Sequence, residues 1–267
     1  MIKALRLYVG FTKIAVRTNF AHRSAFWAGF FGQWFNYGTM FATLYIVVST
    51  FNILAGWTAD EMIFLYAMNL LSYAVAATFF YNPCTGLAAK IRTGEFDIAM
   101  TKPVSPFGHE FYLGFNVGYV SHISLSIGVM VFASMRVGLS FSLLGALIFM
   151  GMLLGAILAQ ASVLIAVSAT SFFVVTDNPA FELSFTIKRF TQYPINIYPV
   201  FLQILLTCVL PIAFMDFYPA SAILRKDNAM LFPAELSFFT PAVGLVLFLL
   251  SLRWWNYALS QYQSTGT

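Results

Sequence analysis

Residues 137–176 read VGLSFSLLGALIFMGMLLGAILAQASVLIAVSATSFFVVT, without a single Lys, Arg, Asp or Glu. A helix crosses the hydrocarbon core of a bilayer in ~20 apolar residues, with ~17 as a lower bound. This run exceeds one crossing, so it predicts a spanning helix over 141–170 whose end bends or leaves the membrane. Uncharged runs also cover 24–59, 62–89, 111–135, 190–215 and 236–252. They predict spanning helices at 26–50, 62–80, 112–134, 196–215 and 237–257, the last extended by an interfacial belt of Trp254, Trp255 and Tyr257. The expected fold class is all-α: a polytopic transmembrane bundle of about six helices over 24–267, preceded by an interfacial amphipathic helix over 1–23.

Composition agrees. Hydrophobic residues make up 60% of the chain and charged ones 9%, against roughly a quarter charged in soluble domains. The basic start has no small-residue cleavage site after a short apolar core, so the first spanning helix is expected to serve as its own uncleaved signal. Cys84 and Cys208 stand apart, without metal-ligand spacing, so neither a disulfide nor a metal is expected. A net charge of +4 suits a positive-inside membrane protein and is no argument for nucleic acid as a partner.

Basic residues set the expected orientation. Lys3, Arg6, Lys13, Arg17, Arg23, Lys90, Arg92, Lys102, Lys188, Arg189 and Arg253 fall on one side, and Arg136, Arg225 and Lys226 on the other, eleven against three. The positive-inside rule places both termini in the cytoplasm. Within 1–23, Lys3, Arg6, Gly10, Lys13 and Arg17 share one helical face while Ile2, Leu5, Val9 and Val16 fall on another. Such a helix lies on anionic headgroups or serves only as a topology signal.

No Gly-Lys pair occurs, which rules out a GxxxxGK[ST] phosphate cradle, and HExxH and GxSxG are absent. The chain is therefore not expected to be an enzyme, and any ATP and magnesium would be bound by another subunit. His122 is the sharpest intramembrane polar residue; Gly114, Gly118, His122 and Ser126 recur at four-residue steps on the third crossing. His122, Asn116 and Gln160 are candidates for lining a substrate path, and helix–helix hydrogen bonding is the competing reading. Gly151, Gly155 and Ala159 read as packing. Apart from Arg253 at the interfacial end of the last, no predicted span holds a carboxylate or a permanent cation, which counts against an ion-coupled carrier.

The segment at about 82–106 is the most patterned soluble stretch. Asn82-Pro83 precedes an expected helix over 85–93, then Gly94-Glu95-Phe96-Asp97, then Lys102-Pro103-Val104-Ser105-Pro106. Gly94 can take the left-handed conformation that ends one helix and starts another. A short helix pair there suits force transmission to a partner, or is only a tidy loop. A second cytoplasmic helix is expected from Pro179, capped by Asp177 or Asn178.

The order Ile91-Arg92-Thr93-Gly94-Glu95-Phe96-Asp97, Lys102-Pro103-Val104-Ser105-Pro106, Tyr198-Pro199, Pro211, Tyr218-Pro219-Ala220 and Tyr262-Gln263-Ser264-Thr265-Gly266 resembles a bacterial group of ABC-2 permeases, with Gln261 where that group often has Arg. The resemblance implies the inner-membrane subunit of an ATP-driven transporter, usually an exporter. It also implies two ATPase copies and a second permease chain, identical or different. It makes 85–101 the region seated in the ATPase, with Arg92, Gly94, Glu95, Asp97 and Pro103 as coupling residues. An ion-coupled secondary carrier and a non-transporting scaffold are the rival classes, and the substrate is not implied.

Overall fold

The computed structural model describes residues 2–51, 53–174, 179–226 and 231–263, with the side chains of 2–7 and Asn19 outside the description. Among the described residues the regular elements are all helices, with no strand. The helices are α1 (Ile2–Ala21), α2 (Arg23–Ser49), α3 (Ala59–Arg92), α4 (Glu95–Met100), α5 (Pro106–Leu113), α6 (Val120–Val137), α7 (Leu143–Ala169), α8 (Pro179–Lys188), α9 (Val200–Ile204), α10 (Phe217–Leu224) and α11 (Thr240–Ser260).

The mast of the bundle is α3. Its start is fixed by a capping box: the Thr58 side chain accepts from Glu61 N–H, and Glu61 accepts from Thr58 N–H at 2.8 Å. Asp60 and Glu61 lie in its first turn and Lys90 and Arg92 in its last, both favourable to the helix dipole. At ~1.5 Å per residue its 34 residues span ~51 Å, more than the ~30 Å hydrocarbon core. The sequence places the second crossing at 62–80 with a separate helix at 85–93; instead one helix runs through Pro83 to Arg92. Proline is accommodated because the facing chain is shaped to it. A Cβ on Gly114 would lie 2.5 Å from Pro83 Cδ, and Asn116 N–H donates to the Thr78 carbonyl at 2.8 Å.

The same contact breaks the third crossing, expected as one helix over 112–134. It stops at Leu113 and restarts as a 3-10 turn at Val117–Tyr119 leading into α6. Asn116 caps the restart by accepting from Gly118 N–H at 2.9 Å. Gly118, His122 and Ser126 share the restarted segment, while Gly114 does not.

Four segments are long and apolar enough to cross a membrane: Ala59–Arg92, Val117–Val137, Leu143–Phe172 and Ala234–Ser260. Two further segments run alongside α3 among the described residues. One is α2, whose 27 residues run antiparallel beside α3, with Phe41 against Tyr66 at 4.8 Å. The other overturns the sequence placement of the fifth crossing at 196–215. Phe181 packs with the aromatic cluster around Phe96 and Trp255. Further along, Lys188 reaches Tyr73, Thr191 reaches Asn69, and Asn196 donates to the Ala55 carbonyl at 2.8 Å. These contacts climb α3 from one end to the other, so residues 179–197 make the pass. The Asp177/Asn178 cap lies outside the described residues; α8 itself begins at Pro179.

Residues 200–224 then dip into the bundle and return. The ten apolar residues of Val200–Val209, ~15 Å of helix, are too short to cross. Pro211 breaks them from the 3-10 turn at Ile212–Met215. Thr207 and Tyr218 hydroxyls bond across the two arms at 3.1 Å, and Lys226 regains the far end, 2.7 Å from Glu61. The α7–α11 crossing is the tightest, because Gly155 and Gly244 put backbone on backbone; a Cβ on Gly244 would overlap the Gly155 carbonyl.

Two outcomes follow. Asn196→Cys and Ala59→Cys should label from the same side of sealed vesicles and Thr93→Cys from the other; labelling of Asn196→Cys with Thr93→Cys would restore the loop placement. Gly244→Ala should cost ~1–3 kcal/mol by overpacking and lower the melting temperature in detergent, while Gly128→Ala, with nothing within 4 Å, should not.

Candidate functional site

Two regions gather the functional side chains. The first is the turn at the end of α3. Gly94 has φ 72°, the left-handed conformation that lets α4 fold back directly after α3. From α4, Phe96 is fully buried, 5.3 Å from Phe172 and 5.4 Å from Tyr262 between ring centroids. Asp97 accepts from the Tyr262 hydroxyl at 2.9 Å. Burial and the Asp97 carboxylate push that hydroxyl up to about 12, so it remains a donor at neutral pH. Asp97 thus pins α4 to the tail after α11.

The opposite side of α4 is open. Glu95, Ile98, Met100, Thr101, Lys102 and Pro103 are exposed, as is Arg92 just before the turn. Lys90 bonds the buried Glu110 at 2.6 Å, clamping the end of α3 to α5. On α5, Phe111 stacks on Tyr8 of α1 at 5.4 Å. Of the sequence-named residues here, Arg92, Glu95 and Pro103 face outward, Gly94 makes the turn, and Asp97 faces inward.

The second region is a trough along α2. Three cavities of ≈ 730, 200 and 250 Å³ succeed one another, sharing Tyr37, Tyr73 and Phe185 at one junction and Met40, Tyr66 and Gln192 at the next. They run beside α2 from Ala25 to Val47, ~33 Å at the helical rise, the thickness of the hydrocarbon core. One wall is α2, the floor is α3, and the other wall is the start of the restarted third crossing at the largest cavity and the fifth pass along the other two. His122 and Asn116 both line the largest cavity. His122 bonds Ser121 Oγ at 3.1 Å and meets Tyr37 edge-on at 4.6 Å. Asn116 also donates to Asn82 at 3.0 Å. Gln160 does not line these three: it lines a further, apolar cavity beside the α9–α10 hairpin, which shares Tyr73, Phe185 and Lys188 with the trough, and it bonds Ser72 at 3.4 Å.

Under the trough lies a buried polar network that the sequence reading missed. Asn69 Nδ2 donates to Asp216 at 2.9 Å and to Thr191 at 3.0 Å, and Phe217 N–H donates to Asp216 at 2.6 Å. The Lys188 ammonium sits 3.1 Å from the Tyr73 ring centroid. The expectation of spans free of charge therefore fails. Lys188 and Arg189 belong to the fifth pass rather than to a cytoplasmic loop, which leaves the charge asymmetry at nine against three. Asp216 ends an uncharged run, so it reads as an interface marker; the apolar Phe217–Leu224 stretch after it is the signal of a hairpin.

This architecture, a helical membrane bundle with a bolted-on helical knob at one end and a membrane-deep trough, is that of a multi-pass transport protein. A family model described as "ABC-2 family transporter protein" matches residues 35–266, and the chain belongs to that family. No curated protein and no solved structure matches it.

Asn69→Leu strands the buried Asp216 carboxylate without its side-chain donor. The expected loss is ~3–5 kcal/mol, read as a fall in melting temperature in detergent, and Asn69→Leu combined with Asp216→Asn should recover part of it.

Proposed function

We propose that this chain is the membrane permease subunit of an ATP-driven exporter in the cell inner membrane, with both termini in the cytoplasm. Two ATPase subunits bind ATP and magnesium, and a second permease chain, identical or related, completes the membrane unit. Family membership supports the transport role, and the construction of α4 supports the coupling role.

The observation that carries the reading is the two-sided character of α4. Its inner side, Phe96 with Asp97 on Tyr262, is fixed to α7 and the tail of α11. Its outer side leaves Ile98 58% and Met100 48% exposed beside Glu95 and Lys102. An apolar centre with a charged rim is the build of a transient protein interface. A push on α4 travels without slack, because Gly94 joins it directly to α3 and α3 forms the trough floor.

Half-buried Lys188 and buried Asp216 favour a second reading, an ion-coupled carrier, since intramembrane charges mark proton and ion pathways. The two differ in what drives transport. Expressed with its partners, the complex should lose transport when the ATPase is inactivated and keep it when ion gradients are collapsed; the reverse pattern selects the carrier.

Ile98→Asp should weaken ATPase pull-down by about tenfold, ~1.4 kcal/mol, without changing membrane expression. Gly94→Val forces a β-branched residue into a left-handed turn at ~1–3 kcal/mol of strain and should lose both docking and transport. His122→Ala should leave docking intact. Wild-type docking by both α4 variants would reduce α4 to a connector.

A further inference from the structure

The charge inside the trough has a pattern that its walls alone do not explain. The middle cavity is lined by Lys188 and Arg189, and no carboxylate lines any of the three cavities. Both cations ride on the fifth pass at the level of Asn69 and Tyr73, 10 and 14 residues into α3, ~15–21 Å from its start. That depth is inside the hydrocarbon core.

The two cations are not equivalent. Lys188 is half-buried and rests on the face of Tyr73. Arg189 is exposed to the trough and makes no ion pair among the described residues. A permanently charged guanidinium in a membrane without a counter-ion is costly, and such residues mark ligand or ion pathways. Its planar fork matches carboxylate and phosphate oxygens. Along the trough the walls are aromatic: Phe26 and Phe30 toward one end, Tyr37 and Phe185 at the first junction, Tyr66 toward the other. An aromatic wall with one cationic point suits an elongated apolar body carrying one negative group.

We infer that the trough binds an amphiphilic organic anion, with its carboxylate or phosphate on Arg189 at mid-membrane and its apolar body along α2. This deepens the proposed transport function by making the trough the substrate path, and rests on that function. The anionic group can belong to a free amphiphile or to a lipid headgroup; the chemistry at Arg189 is the same.

The test uses the purified chain in phosphatidylcholine nanodiscs without the ATPase, so that a failure of docking at α4 and a failure here are separate results. The probe is 11-(dansylamino)undecanoic acid, read by its fluorescence, with its methyl ester and a trimethylammonium analogue of equal chain length. Saturable binding of the acid is expected, at least tenfold weaker for the ester and the ammonium compound. Arg189→Gln should weaken acid binding at least tenfold and Arg189→Lys by less. Should Arg189→Gln fail to fold, Gln192→Glu adds a carboxylate to the same cavity and should weaken the acid while strengthening the ammonium analogue. Replacing part of the phosphatidylcholine with phosphatidylglycerol separates the sources. Competition lost in Arg189→Gln identifies a lipid headgroup, and absence of competition identifies a free amphiphile; both support the site. Equal binding of acid and ester overturns the proposal. So does unchanged acid binding in Arg189→Gln, including the case in which that variant instead lowers the oligomeric state and shows Arg189 to be an interface residue.

Discussion

Asn69 uses one amide to hold three parts of the chain together. From a third of the way along α3 it donates to Asp216 of the dipping hairpin and to Thr191 of the fifth pass, at 2.9 and 3.0 Å. In a low-dielectric interior a carboxylate needs donors, and an unmet one costs several kcal/mol. Asp216 receives one from Asn69 and one from Phe217 N–H. The hairpin can then enter the bundle, and the fifth pass can stand beside α3 and wall the trough. The other irregular backbone follows the same rule: the break at 114–116 and the turn at Pro211 occur only where protein covers them.

A consequence is mechanical continuity. One helix carries the capping box at its first turn, the polar network a third of the way along, the Pro83–Gly114 contact beyond the middle, and the Lys90–Glu110 clamp and Gly94 turn at its end. One unbroken helix therefore joins the Gly94 turn to the floor of the trough. The α7–α11 pair, locked backbone to backbone at Gly155 and Gly244, packs beside it as the tightest crossing.

How much the sequence discloses depends on which physical signal each element relies on. The passes at α2, α3, α7 and α11 are legible because uncharged length suffices to identify them. The turn at Gly94 is legible because glycine between two helical runs has one common use. The fifth pass is not, because its amphipathic 179–197 stretch carries Lys188 and Arg189, and a charge in an otherwise apolar element reads as an edge. Its true position depends on partners distant in sequence: Tyr73, Asn69 and Ala55. The continuity of α3 through Pro83 is hidden for the same reason, since its compensation comes from Gly114 and Asn116. Among candidate path residues, His122 and Asn116 meet in one cavity while Gln160 lies in another, a division set by which side of α3 each helix occupies.

The gap in the third pass marks where the bundle meets the knob. Val117–Val137 is long enough to cross a membrane by itself, so residues 114–116 lie beyond its end, at the membrane edge. Part of their hydrogen bonding is met by the Thr78 carbonyl and their fit by the Pro83 ring, both supplied by α3. The chain can therefore change direction between α5 and the crossing without carrying open backbone into hydrocarbon, and the gap becomes a fixed corner by which the knob is squared to the bundle.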